Sequence, residues 1–270
     1  MTAYRELLPI AVKAIEQAST LMRRQTPGAL TTKGDRDVAS ELDYRIEREL
    51  RALLRDLTPE IGFLGEEEGS SGSGELRWSL DPIDGTANFV RRLPLCGVSL
   101  GLIHHQRPVL GVIDLPFLGS RYTAAEGEGA YVNGQPIEVS STAILSEAIV
   151  AIGDYAVGPD ASGKNRLRLA LTAQLAEEVQ RVRMTGSAAL DLAWLAEGKL
   201  DAALTLSNHP WDMTAGVAIA REAGARILDR DGTEYTYDSS VTLAATPALA
   251  GQLLAAVQAA EALAGSAHER

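Results

Sequence analysis

Ala11, Ala14, Ile15, Ala18, Leu21 and Met22 recur three and four positions apart, which predicts an amphipathic helix from about Tyr4 to Arg24. Pro9 falls within it and marks either its true start or a bend, and Thr26-Pro27-Gly28 ends it. Leu42, Ile46, Leu50, Leu53 and Leu57 repeat the pattern in a second helix, entered through Lys33-Gly34-Asp35-Arg36-Asp37 and capped by Ser40 or Asp37. Ile61-Gly62-Phe63-Leu64 is a short apolar run of the buried-strand kind, and Leu76, Trp78 and Leu80 alternate as a strand that runs out at Asp81. Between the two, Gly69–Gly74 is composed as a flexible linker, which lets a loop of Gly65, Glu66, Glu67 and Glu68 fold over Asp81.

After Phe89 the pattern turns to strands: Val98–Ile103, Val109–Leu115, Arg121–Ala124 and Tyr131–Val132, with a connection at His104–Pro108 and a tight-turn signal at Asn133-Gly134. From about Ser140–Leu145 strands alternate with helices. The strands are Ala148–Ile152, Arg181–Met184, Ala202–Leu206 and Val241–Ala245. The helices are Arg166–Val179, one from Gly186-Ser187-Ala188-Ala189 to Gly198, Asp212–Ala223, and a last one from Pro247. The expectation is one compact α/β (α+β layered) unit in two halves, residues 1–140 and 141–270, without internal repeats.

Composition narrows the function more than the fold. The 270 residues are 46% hydrophobic and 23% charged, ordinary for a globular enzyme. A net charge of −11 argues against general binding to nucleic acid or to an anionic membrane. No apolar stretch is long enough to span a bilayer, and Arg5, Glu6, Lys13 and Glu16 interrupt the first residues in a way unlike a signal peptide. Cys96 is the only cysteine, so no intrachain disulfide forms, which suits a reducing cytoplasm. No Gly-x-Gly-x-x-Gly follows a strand, against a dinucleotide site. His104-His105 has no neighbouring cysteine and no Asp/Glu-x-x-His partner, so a turn tip rather than a zinc site is its expected home.

The chemistry concentrates in Asp81-Pro82-Ile83-Asp84-Gly85-Thr86-Ala87-Asn88-Phe89. Two aspartates three residues apart, with the Ile83 carbonyl between them, are hard oxygen ligands of the kind Mg²⁺ prefers. Gly85 allows close backbone approach, and Thr86 can open a short helix whose free N–H groups face an anion. Alone, the stretch also reads as an ordinary turn. Together with Gly65-Glu66-Glu67 upstream and Trp211-Asp212 downstream, it resembles the inositol monophosphatase family of metal-dependent sugar phosphatases, whose central motif it matches without a break. Lys33, Asp37 and Asp43 match the family's pattern ahead of the acidic motif; taken by itself, Asp43 equally complements a helix dipole.

The resemblance spans Lys33 to the region of Thr233 and implies a five-layered αβαβα sandwich, often homodimeric. It implies a metal set of Glu66, Asp81, the Ile83 carbonyl, Asp84 and Asp212, holding two or three Mg²⁺ ions, with Mn²⁺ a substitute and Li⁺ and Ca²⁺ inhibitory. Asp212, read alone, is also a possible helix N-cap. Glu66, Thr86 and Asp43 are the implied catalytic residues, acting on a water that attacks a phosphate monoester in line, without a covalent intermediate. Gly85 and Thr86 would hold phosphate, and Asp84, Gly186, Ser187, Ala188, Thr205 and Asp212 would face the rest of the substrate. Thr205 stands where inositol-specific members carry a glutamate for the ring hydroxyls, although it also reads as a strand end. The leading reading is hydrolysis of a small polyol or sugar phosphate. The alternatives are a fructose-1,6-bisphosphatase, a pathway-specific sugar or histidinol phosphate phosphatase, and a metal-binding regulator without activity, against which the intact acidic set argues.

Overall fold

The computed structural model describes residues 4–266; Met1–Ala3 and Ala267–Arg270, at the outer ends of the two expected halves, lie outside the described residues. Helix α1 (Tyr4–Arg24) buries Ala11, Ala14, Ile15, Ala18 and Met22 and runs through Pro9, which marks no start. The segment read as the entry of the second helix is instead a hairpin of β1 (Leu30–Gly34) and β2 (Asp37–Ser40), with Arg36 in the left-handed region at its turn. Its strands are short and mostly exposed, so no apolar alternation announces them. Helix α2 (Glu41–Leu57) follows, with Ser40 as N-cap and Leu42, Ile46, Leu50 and Leu54 buried.

Strand β3 (Gly62–Gly65) turns through Glu66–Glu68 into β4 (Gly69–Ser71), and β5 (Leu76–Asp84) pairs parallel to β3. The expected linker is thus partly an edge strand, because a Gly/Ser backbone beside β3 has a ladder of N–H and C=O groups to pair with. Nor does β5 stop at Asp81. It continues to Asp84 with a register shift between those aspartates, and Pro82, which lacks an N–H, sits in that irregularity. Helix α3 (Thr86–Val90) comes next, then β6 (Gly97–His104), β7 (Arg107–Leu115), β8 (Ser120–Ala125), β9 (Ala130–Val132) and β10 (Gln135–Ile137). The β6–β7 connection is a two-residue turn, His105-Gln106. The first sheet has eight strands in the order β10-β9-β8-β7-β6-β5-β3-β4.

The second sheet begins with β11 (Ile149–Ile152). Helix α4 (Ala161–Glu178) starts ahead of the expected Arg166 and leads to β12 (Arg181–Arg183), α5 (Ala188–Ala196), β13 (Ala202–Thr205) and α6 (Pro210–Glu222). Strand β14 (Arg226–Leu228) is too short for its period to be read, and β15 (Thr242–Ala245) and α7 (Ala250–Ser266) complete the chain. Five strands lie in the order β12-β11-β13-β15-β14.

Three apolar clusters glue five layers. Helices α1 and α2 close the outer face of the large sheet over Ile15, Ile46, Trp78 and Leu100. Helices α5 and α6 fill the space between the sheets, and α4 and α7 cover the far face of the small sheet. The order is αβαβα, as the resemblance implies.

Glycines decide how closely α6 approaches the large sheet. Gly101 and Gly111 are cross-strand partners on β6 and β7. A Cβ on Gly111 would stand 2.3 Å from the Ala215 carbonyl oxygen, and one on Gly101 would stand 2.7 Å from the Ala215 nitrogen. Backbone of α6 therefore rests directly on backbone of the sheet, and this contact sets where the first turn of α6 lies. Gly111→Ala forces the layers apart; its expected cost is about 1–3 kcal/mol, the usual range for overpacking. A lowered melting temperature checks this, and an unchanged one would show that α6 yields freely.

Candidate active site

The C-terminal end of β5 is the centre of the site. Asp81 and Asp84 are both buried, and Asp81 Oδ1 accepts the Ile83 N–H at 3.0 Å, which fixes the irregular turn between them. Gly85 has φ 82°, and a Cβ there would meet the carbonyl oxygens of Leu95 at 3.0 Å and Gly186 at 3.1 Å. Only glycine combines that backbone angle with so close an approach. The chain then enters α3 at Thr86, whose hydroxyl lies 3.1 Å from Asp43 Oδ1 and 2.9 Å from the Ile83 carbonyl oxygen.

Four further elements bring groups to this point. In the first turn of α2, buried Asp43 accepts the Ser40 backbone N–H at 3.0 Å and the Ser40 hydroxyl. Glu66 stands on the β3–β4 turn, its N–H 3.3 Å from the Leu80 carbonyl oxygen, and Lys33 of the β1–β2 hairpin reaches it at 2.7 Å and Glu67 at 2.9 Å. Asp84 accepts the Ser187 hydroxyl and, at 3.0 Å, the Ala189 N–H at the start of α5. Asp212 lies in the first turn of α6, which His209 caps and Pro210 opens. It is therefore inside the helix and not its N-cap.

Electrostatics separate these acids from ordinary surface carboxylates. Burial pushes Asp81 well above its ordinary value, and Glu66, Asp84, Asp212 and Asp43 push it further. Asp212 is raised by burial, then by Asp84 and Glu66. Burial also raises Asp43 and Asp84, each to about 6, against hydrogen bonds from Ser40 to the one and from Ser187 to the other. Glu67 rises to about 7, mainly by burial. Burial works to lower the Lys33 ammonium, but Glu66 and Glu67 outweigh it and hold the charge. Buried acids that raise one another in this way demand a cation, and their all-oxygen donor set suits a hard divalent ion. No three of them bring ligand oxygens within 4.8 Å of one another. Lys33 and Ser187 hold Glu66 and Asp84 in the present arrangement.

The pattern of the inositol monophosphatase family matches residues 3–262. The chain belongs to the inositol monophosphatase family. It is accordingly a phosphatase, in a family that is metal-dependent, with Mg²⁺ typical. It is 34% identical to the inositol-1-monophosphatase ImpA of Mycolicibacterium smegmatis, covering 93% of this chain and 92% of that protein. It is 37% identical to a fructose-1,6-bisphosphatase/inositol-1-monophosphatase of Aquifex aeolicus, over 71% of this chain and 72% of that one. The extragenic suppressor protein suhB of Bartonella henselae superposes with a TM-score of 0.87 at 29% identity, covering 93% of this chain and 98% of that one. No described helix is long and apolar enough to cross a membrane.

The remaining residues singled out in the sequence take varied places. Gly186 has φ 76°, and a Cβ on it would press on the Asn88 amide at 3.1 Å. The Ser187 hydroxyl, besides bonding Asp84, accepts the Leu190 N–H as the N-cap of α5, and Ala188 is the first helical residue. Thr205 ends β13 opposite Thr242, half-buried beside Gly153. Asp37 opens β2, and its charge adds to the rise of Asp212. Two supporting residues went unread in the sequence. Asn88 donates to the Leu95 and Thr185 carbonyls, both at 2.8 Å, tying α3 to the α5 side. Buried Glu47 accepts the N–H groups of Glu67 at 2.8 Å and Glu68 at 2.9 Å, and Arg51 pairs with it at 2.6 Å. A Cβ on Gly65 would fall 2.2 Å from the Glu47 carboxyl carbon, so glycine there lets the clamp close. Only a polar residue on the apolar stripe of α2 hinted at Glu47.

Raised carboxyls make the metal-free protein sensitive to base. Between their ordinary values and about 6 to 7, Asp43, Asp84 and Glu67 hold protons in the folded state that the unfolded chain has released. Stability therefore falls as pH rises through that window. A carboxyl moved from 3.8 to about 6 accounts for on the order of 3 kcal/mol. In EDTA the melting temperature should be higher at pH 5 than at pH 7.5, and saturating Mg²⁺ should remove most of the difference. Equal melting points in EDTA would contradict this account.

Proposed function

We propose that this chain hydrolyses the phosphate monoester of a small polyol or sugar, with Mg²⁺ held by Glu66, Asp81, the Ile83 carbonyl, Asp84 and Asp212. The observation that carries the reading is the gathering of Asp43, Asp81, Asp84 and Asp212, each raised by burial and by neighbouring acids, beside Glu66 and its partner Lys33. When bound, Mg²⁺ supplies Lewis-acid activation of the attacking water and of the phosphate, and charge neutralisation at the departing oxygen. Thr86 Oγ1 can take a proton from a water in front of it while its own hydrogen passes to Asp43 Oδ1, 3.1 Å away. The raised Asp43 carboxyl suits it to hold that proton. Glu66, carried on a turn and countered by Lys33, sets its negative charge against Asp81 and would help hold the metal.

The first N–H groups of α3, at Gly85 and Thr86, have no acceptor within the helix and are free to hold phosphate oxygens. Asp84, Gly186, Ser187, Ala188, Thr205 and Asp212 border the leaving group. Mn²⁺ is read as a substitute for Mg²⁺, and Li⁺ and Ca²⁺ as inhibitors. The working form is read as a cytoplasmic homodimer, in keeping with the family resemblance and the single buried thiol of Cys96. A second reading, fructose-1,6-bisphosphatase activity, is favoured by Thr205 and by the doubly named Aquifex aeolicus relative.

Asp81→Asn removes the central charge without changing its shape. Turnover should fall by orders of magnitude, while the metal-free melting temperature stays level or rises as repulsion is relieved. Phosphate release from a panel of sugar, inositol, histidinol and nucleotide phosphates, with Mg²⁺ and with EDTA, tests the reading. Undiminished turnover in EDTA, or in Asp81→Asn, would end it.

Thr205 is shorter than glutamate and neutral, so specificity should be broad, with another sugar phosphate matching or exceeding inositol 1-phosphate. Thr205→Glu should shift the kcat/KM ratio towards inositol 1-phosphate. One charge-assisted hydrogen bond is worth about 1.5–3 kcal/mol, or roughly ten- to a hundredfold. A wild type already selective for inositol 1-phosphate and indifferent to the substitution would refute the role given to Thr205.

A further inference from the structure

The opposite end of β5 carries a second group of ligand-bearing side chains. Glu75 precedes the strand, and His104 ends β6, in register with Leu76. Six residues of strand, at about 3.3 Å each, put this group roughly 20 Å from Asp81. Glu75 Oε2 lies 3.9 Å from His104 Nε2 and 3.5 Å from His105 Nε2, and the ligand atoms of the three residues all fall within 4.8 Å of one another. Among the described residues this is the one His/Cys/Asp/Glu group so close. The carboxylate that the local sequence around the histidine pair lacks is thus supplied across the sheet.

We propose that Glu75, His104 and His105 form a binding site for a divalent transition-metal ion of the zinc class, separate from the phosphatase site. Two imidazoles and a carboxylate are the donor set that such ions take, and Mg²⁺ does not favour it. Around a tetrahedral ion with bonds of about 2.0–2.1 Å, donor atoms stand roughly 3.3–3.4 Å apart, so the two carboxylate–imidazole spacings of 3.5 and 3.9 Å need only a small contraction. The Tyr4 hydroxyl lies 2.5 Å from His104 Nδ1, and an Nδ1–H donated to it leaves the Nε2 lone pair free towards Glu75. A ligating histidine usually has its other nitrogen engaged in this way. The histidine rings lie 4.1 Å apart, centroid to centroid.

The turn itself gives an independent reason. His105 and Gln106 both adopt positive φ, 45° and 66°. Two-residue hairpin turns of this kind favour Asn-Gly, which the chain does use at Asn133-Gly134. Histidine and glutamine there hold a strained backbone, and such strain gathers at functional sites. The Gln106 carbonyl accepts the Tyr237 N–H at 2.7 Å, and Asp238 lines the same cavity of about 270 Å³ as Glu75 and His105. Asp238 thus brings a further acid of the C-terminal segment to the rim of the cavity that Glu75 and His105 line.

Zinc titration of the full-length protein, metal-stripped and then kept in saturating Mg²⁺ to fill the phosphatase site, tests the proposal. Calorimetry should show one equivalent of Zn²⁺ bound and a raised melting temperature, and Co²⁺ in its place should give the visible bands of nitrogen and oxygen ligation. His105→Asn keeps a residue that accepts positive φ, and Glu75→Gln keeps the shape. Both should hydrolyse substrate like the wild type while their Zn²⁺ affinity falls roughly tenfold or more. Absence of a zinc equivalent in the wild type, or the same zinc affinity in both variants, would overturn it.

Discussion

Mutual repulsion among buried acids is the constraint on which the rest of this structure depends. Burial and neighbouring acids, Glu66 among them, raise the proton affinity of Asp81, Asp84, Asp43 and Asp212, and Lys33 is the ammonium set against them. A folded chain tolerates such a cluster only if rigid elements oppose its dispersal or if protons or cations neutralise it. Binding a divalent ion and stabilising a phosphoryl group thus draw on one electrostatic imbalance. The substrate adds negative charge where a metal adds positive.

The scaffold opposes dispersal through backbone and buried hydrogen bonds, not through surface ion pairs. Each acid is held by an element with its own anchor: Asp43 by the Ser40 cap, Asp84 by the start of α5, and Asp212 by the close seat of α6 on Gly101 and Gly111. Glu66 is the exception. It rides on a turn whose N–H groups are gripped by Glu47, while its carboxylate is held by Lys33. The β3–β4 turn is thus held by side chains, whereas the β5 end is held by backbone and buried hydrogen bonds. The zinc-class site proposed at the other end of β5 uses the same sheet pairing, so β5 and β6 would bear a hard-ligand site at one end and an imidazole site at the other.

Much of this was legible in the sequence, for definite reasons. Long amphipathic periods located α1 and α2, because a helix that covers a sheet must bury one stripe. The stretch from Asp81 to Phe89 was legible because its chemistry is local: Asp81, the Ile83 carbonyl, Asp84, Gly85 and Thr86 occupy one irregular turn. Short elements without an apolar period were not legible. The β1–β2 hairpin carries Lys33 and Asp37 on mostly exposed residues, β4 is built of Gly and Ser, and β10 and β14 span three residues each.

By itself, then, the sequence determined the layered α/β class and the glycine at position 85, and through its family resemblance it singled out the acids proposed as metal ligands, since each is carried by a local motif or a local period. Only the tertiary structure decided that Glu47 clamps the Glu66 turn, that Asn88 ties α3 to Thr185, and that Gly111 lies beneath Ala215. It alone decided that Glu75 meets two histidines across the sheet. These contacts join residues far apart in the chain, and their partners are fixed by strand register and layer spacing, which no local pattern of side chains encodes.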